Sequence, residues 1–337
     1  MGLKFFKYLT FFLLIGSASL AQDSIPEVVY DEETEFIHKF PNRITTRLFY
    51  VNTSNSLTIN GRNSNLTFKL NPNKEDRFGA SVSFRSITIS YSFAPDFLSE
   101  NKDNANSKLF HLEFRTYFGN HWMQTLELFN QKGFYLKDDD SQAEFYLPQT
   151  KSFKIGGGTS YIFNENFSFR AIVSQDEKQV KSTGSFISRI IYYYSYLNLR
   201  SDESSVDSEL RSFDIALAPS YYYNFVPTKN LFISAGVSAG IGLNHSKSVD
   251  NNNLEKDESL TSLLTELNFR GSINYDILDF YIGLHYNHLI LNHNTDRSSY
   301  VNDDIPYFQL FAGYRFKTPK KLVKKADNIN KKIKLKN

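Results

Sequence analysis

The feature that most limits what this chain can fold into is a series of long segments in which apolar and polar residues alternate. Leu231, Ile233, Ala235, Val237, Ala239, Ile241 and Leu243 alternate with Ser234, Gly236, Ser238, Gly240, Gly242 and Asn244. Phe213, Ile215, Leu217, Pro219, Tyr221, Tyr223 and Phe225 stand between mostly small and polar residues in the same way. Successive strand side chains point to opposite faces, so a period of two makes one apolar and one polar face. Strands of soluble sandwiches average about five or six residues, whereas several of these segments run eleven to sixteen. Strands of roughly ten residues cross a bilayer, apolar toward lipid and polar toward the lumen. The expected fold is all-β, a transmembrane antiparallel β-barrel.

Composition fits that fold. The chain has 31 Phe and 21 Tyr at a mean hydropathy of only −0.40. Aromatic belts at both membrane interfaces and a polar lumen give such an average. There is no Cys, which excludes disulfides, thiolate metal sites and Cys nucleophiles. Lys4 and Lys7, an apolar run over 8–15, and Ser19-Leu20-Ala21 are the three parts of a secretory signal peptide. Residues 1–21 are therefore expected to be removed, leaving 22–41 as a periplasmic N-terminal segment. No other stretch approaches the roughly 20 apolar residues of a spanning helix. The expected location is the outer membrane of a Gram-negative bacterium, with outer-membrane lipid around the barrel.

Connections alternate as well. Short turns at 119–120, 164–166, 227–230 and 276–279 are interleaved with longer polar loops at 94–107, 132–149, 245–259 and 292–305. Outer-membrane barrels keep short turns in the periplasm. About twelve strands follow, within a barrel domain of 42–316: 43–52, 64–71, 77–93, 108–118, 121–131, 150–163, one within 167–197, 211–225, 231–244, 260–275, 280–291 and 306–316. In 77–93 the apolar parity shifts at Arg85-Ser86, through a bulge in one strand or a turn between two. Splitting both this segment and 167–197 gives an alternative of fourteen strands, with long loops on the periplasmic side.

The stretch 167–197 offers two candidate strands, 167–175 and 186–197, where the parity allows one. Between them lies SQDEKQVKSTGS. An inward-folded constriction or plug would restore the count, with Asp176 and Glu177 as acceptors and Lys178, Lys181, Ser182 and Ser185 as donors. A kinked strand or a surface loop is the alternative.

After Phe316 the chain becomes basic: residues 317–337 hold nine Lys and one Asp. Leu322, Ala326, Ile329 and Ile333 share a helical face. The expectation is a periplasmic tail, either a short amphipathic helix on an anionic surface or envelope partner, or a solvated extension. Setting aside this tail and the two leader lysines leaves the rest of the chain at about −8, against +2 overall. No nucleic-acid partner is expected.

Three stretches, QKGFYL (131–136), FNENFSFRAIVSQDEKQVKSTGSF (163–186) and FVPTKNLFISAGVSAGIGL (225–243), resemble in that order the bacterial domain-of-unknown-function family 4421. The resemblance covers roughly 40–316. It implies an exported, barrel-like envelope protein and transfers no catalytic residue.

By alternation the lumen should hold Arg47, Lys69, Arg115, Lys154, Arg170, Arg189, Arg270 and Arg315 with Glu113, Glu127, Asp214 and Glu266. Bases outnumber acids, which suits a salt-bridged interior or a narrow path or site for anions. Arg115, Arg189 and Arg270 with Glu113 and Glu266 are the constriction candidates on the wall, Arg170 beside them. A hydrolase would draw on His111 with Glu113, or on His285, Asn287 and Ser262, but no motif joins them. His285-x-x-His288 is not a zinc pair, because on a strand the two face opposite sides. Gly156-Gly157-Gly158 lacks the helix and Lys of a phosphate loop. The resulting expectation is a narrow channel or binding barrel for a small polar or amphiphilic solute, with no cofactor, no metal and no assigned catalytic residue. A structural, assembly-linked envelope protein is the alternative, and an outer-membrane hydrolase the third reading.

Overall fold

In the computed structural model the described residues are 35–53, 56–61, 67–73, 76–98, 107–138, 144–173, 176–200, 207–251, 257–294 and 299–333. The signal peptide expected over 1–21 lies outside them. Seventeen strands occur among these residues: β1 (37–39), β2 (43–53), β3 (56–61), β4 (67–72), β5 (76–84), β6 (87–93), β7 (108–118), β8 (122–138), β9 (144–162), β10 (177–179), β11 (183–200), β12 (207–217), β13 (220–225), β14 (231–250), β15 (258–277), β16 (280–294) and β17 (299–317). All except β1 and β10 belong to one antiparallel sheet, and it closes where β17 pairs with β2. No described helix is long and apolar enough to cross a membrane.

Three breaks in this ring are interruptions along a single course. β2 and β3 pair with successive stretches of β17. β4 and β5 lie along β3 and β2, and β12 and β13 both lie between β11 and β14. The expected single strand over 77–93 is corrected. Arg85-Ser86 is a tight turn joining β5 to β6, with Arg85 at φ 55°. The parity shift there is a reversal of direction and not a bulge. A bulge does occur in β8, between Lys132 and Phe134. There β8 leaves β7 and pairs with β4. Gly133 sits at φ 88°, and a side chain on it would overlap the Ser107 hydroxyl, so only glycine fits.

The alternation places its apolar face outward. Val237, Ile241, Leu243, Phe213, Ile215, Tyr221, Tyr223 and Phe225 are exposed, while Ser212, Asp214, Asn224, Ser234, Ser238 and Asn244 are buried inside. That distribution is the inverse of a soluble protein and matches a barrel in lipid. Turns at 85–86, 119–121, 226–230 and 278–279 all lie at the end where β2 begins and β17 finishes. A basic helix, Lys320–Ile333, follows at that end, held by an ion pair from Arg85 to Asp327 (2.5 Å).

Candidate functional site

Of the two candidate strands in 167–197, the wall uses the second. Residues 167–173 form no strand, and the wall resumes only at β11. The connection from β9 enters the lumen instead. Phe167, Phe169, Ala171, Ile172 and Val173 are all buried, without regard to parity, and pack on Tyr117, Met123, Ile162, Ile187, Tyr222 and Phe232 of the wall. Residues 170–173 form one helical turn. Ser168 Oγ accepts the Ala171 amide (3.1 Å) and donates to Glu177 (2.6 Å). The carbonyls at the other end meet the wall: Arg47 donates to Val173 O (2.6 Å) and Asn274 to Ala171 O (3.2 Å). Buried backbone acceptors need such partners.

A charged cluster locks this plug. Arg170 pairs with Glu177 (3.0 Å) and Asp176 (3.5 Å), donates to the Arg85 carbonyl (2.5 Å), and lies over the Tyr117 ring (4.4 Å). Burial pushes the Asp176 carboxyl up to about 6. Gln179 donates to Phe36 O (3.0 Å) and Asn166 O (2.8 Å), and its own oxygen accepts from the Ser168 amide and from Asn224. β10 pairs with β1, so the N-terminal segment joins the plug as a two-stranded sheet.

The sequence-derived candidates thus divide. Arg170, Asp176 and Glu177 meet in the plug, with Arg170 on the plug and not on the wall. Lys178 stands opposite His38 in the β1–β10 pair, and Lys181 lies over the Phe36 ring (5.5 Å). Ser182 and Ser185 bond locally to the backbone. Ser182 accepts the Val226 amide (2.9 Å), while Ser185 accepts the Asn164 amide (3.1 Å) and donates to Phe186 O (2.8 Å), both at the junction with the wall. Arg189 pairs with Glu266 on the wall beside the plug.

Beyond the plug lies a chamber of about 200 Å³, with Ile172 and Val173 among its lining residues. It brings together Glu113, Arg115 and Arg270 with Arg47, Arg77, Lys154 and Glu127. Five cations thus face two carboxylates. Glu113 is engaged by Arg115. Arg47 is spent on Ser81 and Val173, and Arg270 donates to Asn287 (3.2 Å). Lys154 lies over the Tyr193 ring (4.8 Å). Arg77 was missed in the sequence because it lies near the start of β5, just before the apolar alternation of Phe78, Ala80 and Val82. Its parity, opposite to Phe78, was the available signal. The residues considered for hydrolysis come together in part. His111, Glu113, His285 and Asn287 reach the chamber, but His111 is stacked on Phe129 (3.9 Å). Ser262 lies elsewhere, donating to Asn294 O (3.0 Å). His288 bonds Asp304 (2.6 Å).

Fold and interior together define a plugged β-barrel with a charged internal chamber. The chain belongs to the DUF4421 family, a domain of unknown function whose model matches residues 29–316. No curated protein matches it. Among solved structures it is similar to OprG from Pseudomonas aeruginosa, at 12% identity and TM-score 0.28, over 83% of this chain and 97% of that one. The Pseudomonas putida toluene transporter TodX gives 9% and 0.34, over 83% and 91%. OmpT of Vibrio cholerae, in its trimer form, gives 8% and 0.33, over 81% and 99%.

Proposed function

We propose that this chain is an outer-membrane barrel of twelve strands that binds a small solute in an internal chamber and does not conduct freely. The count of twelve comes from joining β2 with β3, β4 with β5, and β12 with β13. The outer-membrane location is supported by the apolar exterior and by the signal-peptide pattern at the N-terminus. The observation that carries the binding reading is the plug. A segment held by Arg170, Asp176, Glu177 and Gln179 and packed on the wall's apolar residues obstructs the periplasmic half of the lumen. Planar-bilayer recording of the purified chain tests it. The intact protein should be silent, and a variant with 166–180 replaced by a short Gly-Ser linker should open in steps. Steady large conductance by the intact protein would rule the reading out.

One observation favours a second, assembly-linked role. The helix 320–333 is tied to the barrel mouth through Arg85 and Asp327, while Lys320, Lys321, Lys324 and Lys325 remain exposed. Such a face suits an anionic phospholipid surface or an acidic envelope partner. Removing 318–337 should reduce sedimentation with anionic vesicles while the barrel stays folded; unchanged sedimentation would dismiss this role.

A further inference from the structure

We infer that the chamber is a site for a small carboxylate carrying an apolar body, and that Arg77 holds the carboxylate. This rests on the reading of the barrel as a closed binding protein. Arg77 is only 1% exposed, and its Nε and Nη1 have no hydrogen-bond partner. Among the described residues no carboxylate lies within ion-pair distance of it. A buried, unpaired charge costs several kcal/mol, so a fold that keeps one has a use for it. The neighbouring charges do not supply the missing anion. Glu113 belongs to Arg115, Glu127 faces the same chamber without forming an ion pair with Arg77, and cations outnumber carboxylates around the cavity. An arriving carboxylate would complete the pairing through the planar, multi-donor guanidinium.

The remaining surface sets the rest of the ligand. Phe49, Leu109, Phe129 and Ile305 line the same chamber. Phe129 presents its ring between Arg77, at 5.8 Å, and His111, stacked at 3.9 Å. A hydrated inorganic anion gains nothing from these groups, whereas an alkyl or aryl body does. At about 200 Å³, the space falls below the roughly 300 Å³ at which pockets begin to take drug-sized ligands. The ligand is therefore small.

Calorimetric titration of the full chain in detergent, with benzoate, hexanoate, acetate and inorganic phosphate, tests the assignment. Benzoate or hexanoate should bind saturably at one site, acetate at least tenfold more weakly. Arg77→Gln should weaken binding at least tenfold, and Arg211→Gln, on an exposed position, should leave it unchanged. Heat-modifiable migration on a gel confirms that each variant is folded. If Arg77→Gln does not fold, Arg77→Lys keeps the charge without the fork and should still weaken binding severalfold. Absence of saturable carboxylate binding, equal binding by the folded Arg77 variant, or binding of phosphate alone would each overturn the proposal. A silent barrel that binds no carboxylate removes this inference and leaves the closed barrel standing. A freely conducting barrel removes both.

Discussion

The lumen of this barrel holds arginines in two very different settings. In the plugged half, Arg170 is paired with Glu177 and Asp176, Arg189 with Glu266, and Arg315 with Asp276 (2.7 Å) between the rings of Phe40 and Tyr281. In the chamber, Arg77 is as deeply buried as Arg315, yet among the described residues no carboxylate forms an ion pair with it, as Asp276 does with Arg315. Burial is the same and ion pairing is not. The plugged half is built as a protein core, with its charges matched internally. On the proposed reading, the chamber is a site, with a match left for a ligand.

The sharpest way to break this contrast is to unmatch the plug. Arg170→Met would leave Asp176 and Glu177 buried without their cation. Removing one partner of a buried pair costs about 3–5 kcal/mol, so amide exchange across 164–182 should accelerate by at least a hundredfold. Exchange at wild-type rates would mean that the cluster does not hold the plug. Acidity gives the next effect. Burial raises the Asp176 carboxyl from 3.8 to about 6 in the docked plug. The docked form therefore holds this proton more tightly than the displaced form. Its contribution to docking is fully present below about pH 4 and is lost as pH rises through 6, a difference of about 3 kcal/mol. Amide exchange in the plug, corrected for the intrinsic rate, should slow on acidification from pH 7.5 to 5. In Asp176→Asn that dependence should flatten; an unchanged slope would assign it to another group.

Legibility in the sequence followed the same divide between what is periodic and what is paired. The alternation at 213–225 and 231–243 named the lipid-facing side chains correctly, because lipid on one side and lumen on the other impose a period of two. The same rule misread 167–173. A plug is buried on all sides, so Phe167, Phe169 and Val173 could share a parity that carried no information about faces. Arg85-Ser86 could be weighed as bulge or turn, since both reset parity; only the pairing of β5 with β6 separates them. Arg170 is charged, and alternation placed it on the wall, but its partners are reached by a chain reversal that no local pattern announces. Arg77 stood at the edge of its segment, where period two has too few repeats to assign a face.

The smallest effect is also the one that bears most directly on the chamber. In ligand-free protein Arg77→Met exchanges an unpaired buried cation for an apolar chain of similar length. Replacing buried charges by well-packed apolar residues is often neutral or stabilising. A gain of about 1–2 kcal/mol is expected, read as a higher urea midpoint for the folded barrel at constant slope. The matching change in the plugged half, Arg315→Met, should lower the midpoint, since it strands Asp276 beside Phe40 and Tyr281. Opposite signs from two arginines of equal burial would show that one is spent on the fold and the other held for a ligand. Equal losses would mean that Arg77 is matched in solution by groups of the protein itself, and the chamber would then be an extension of the core.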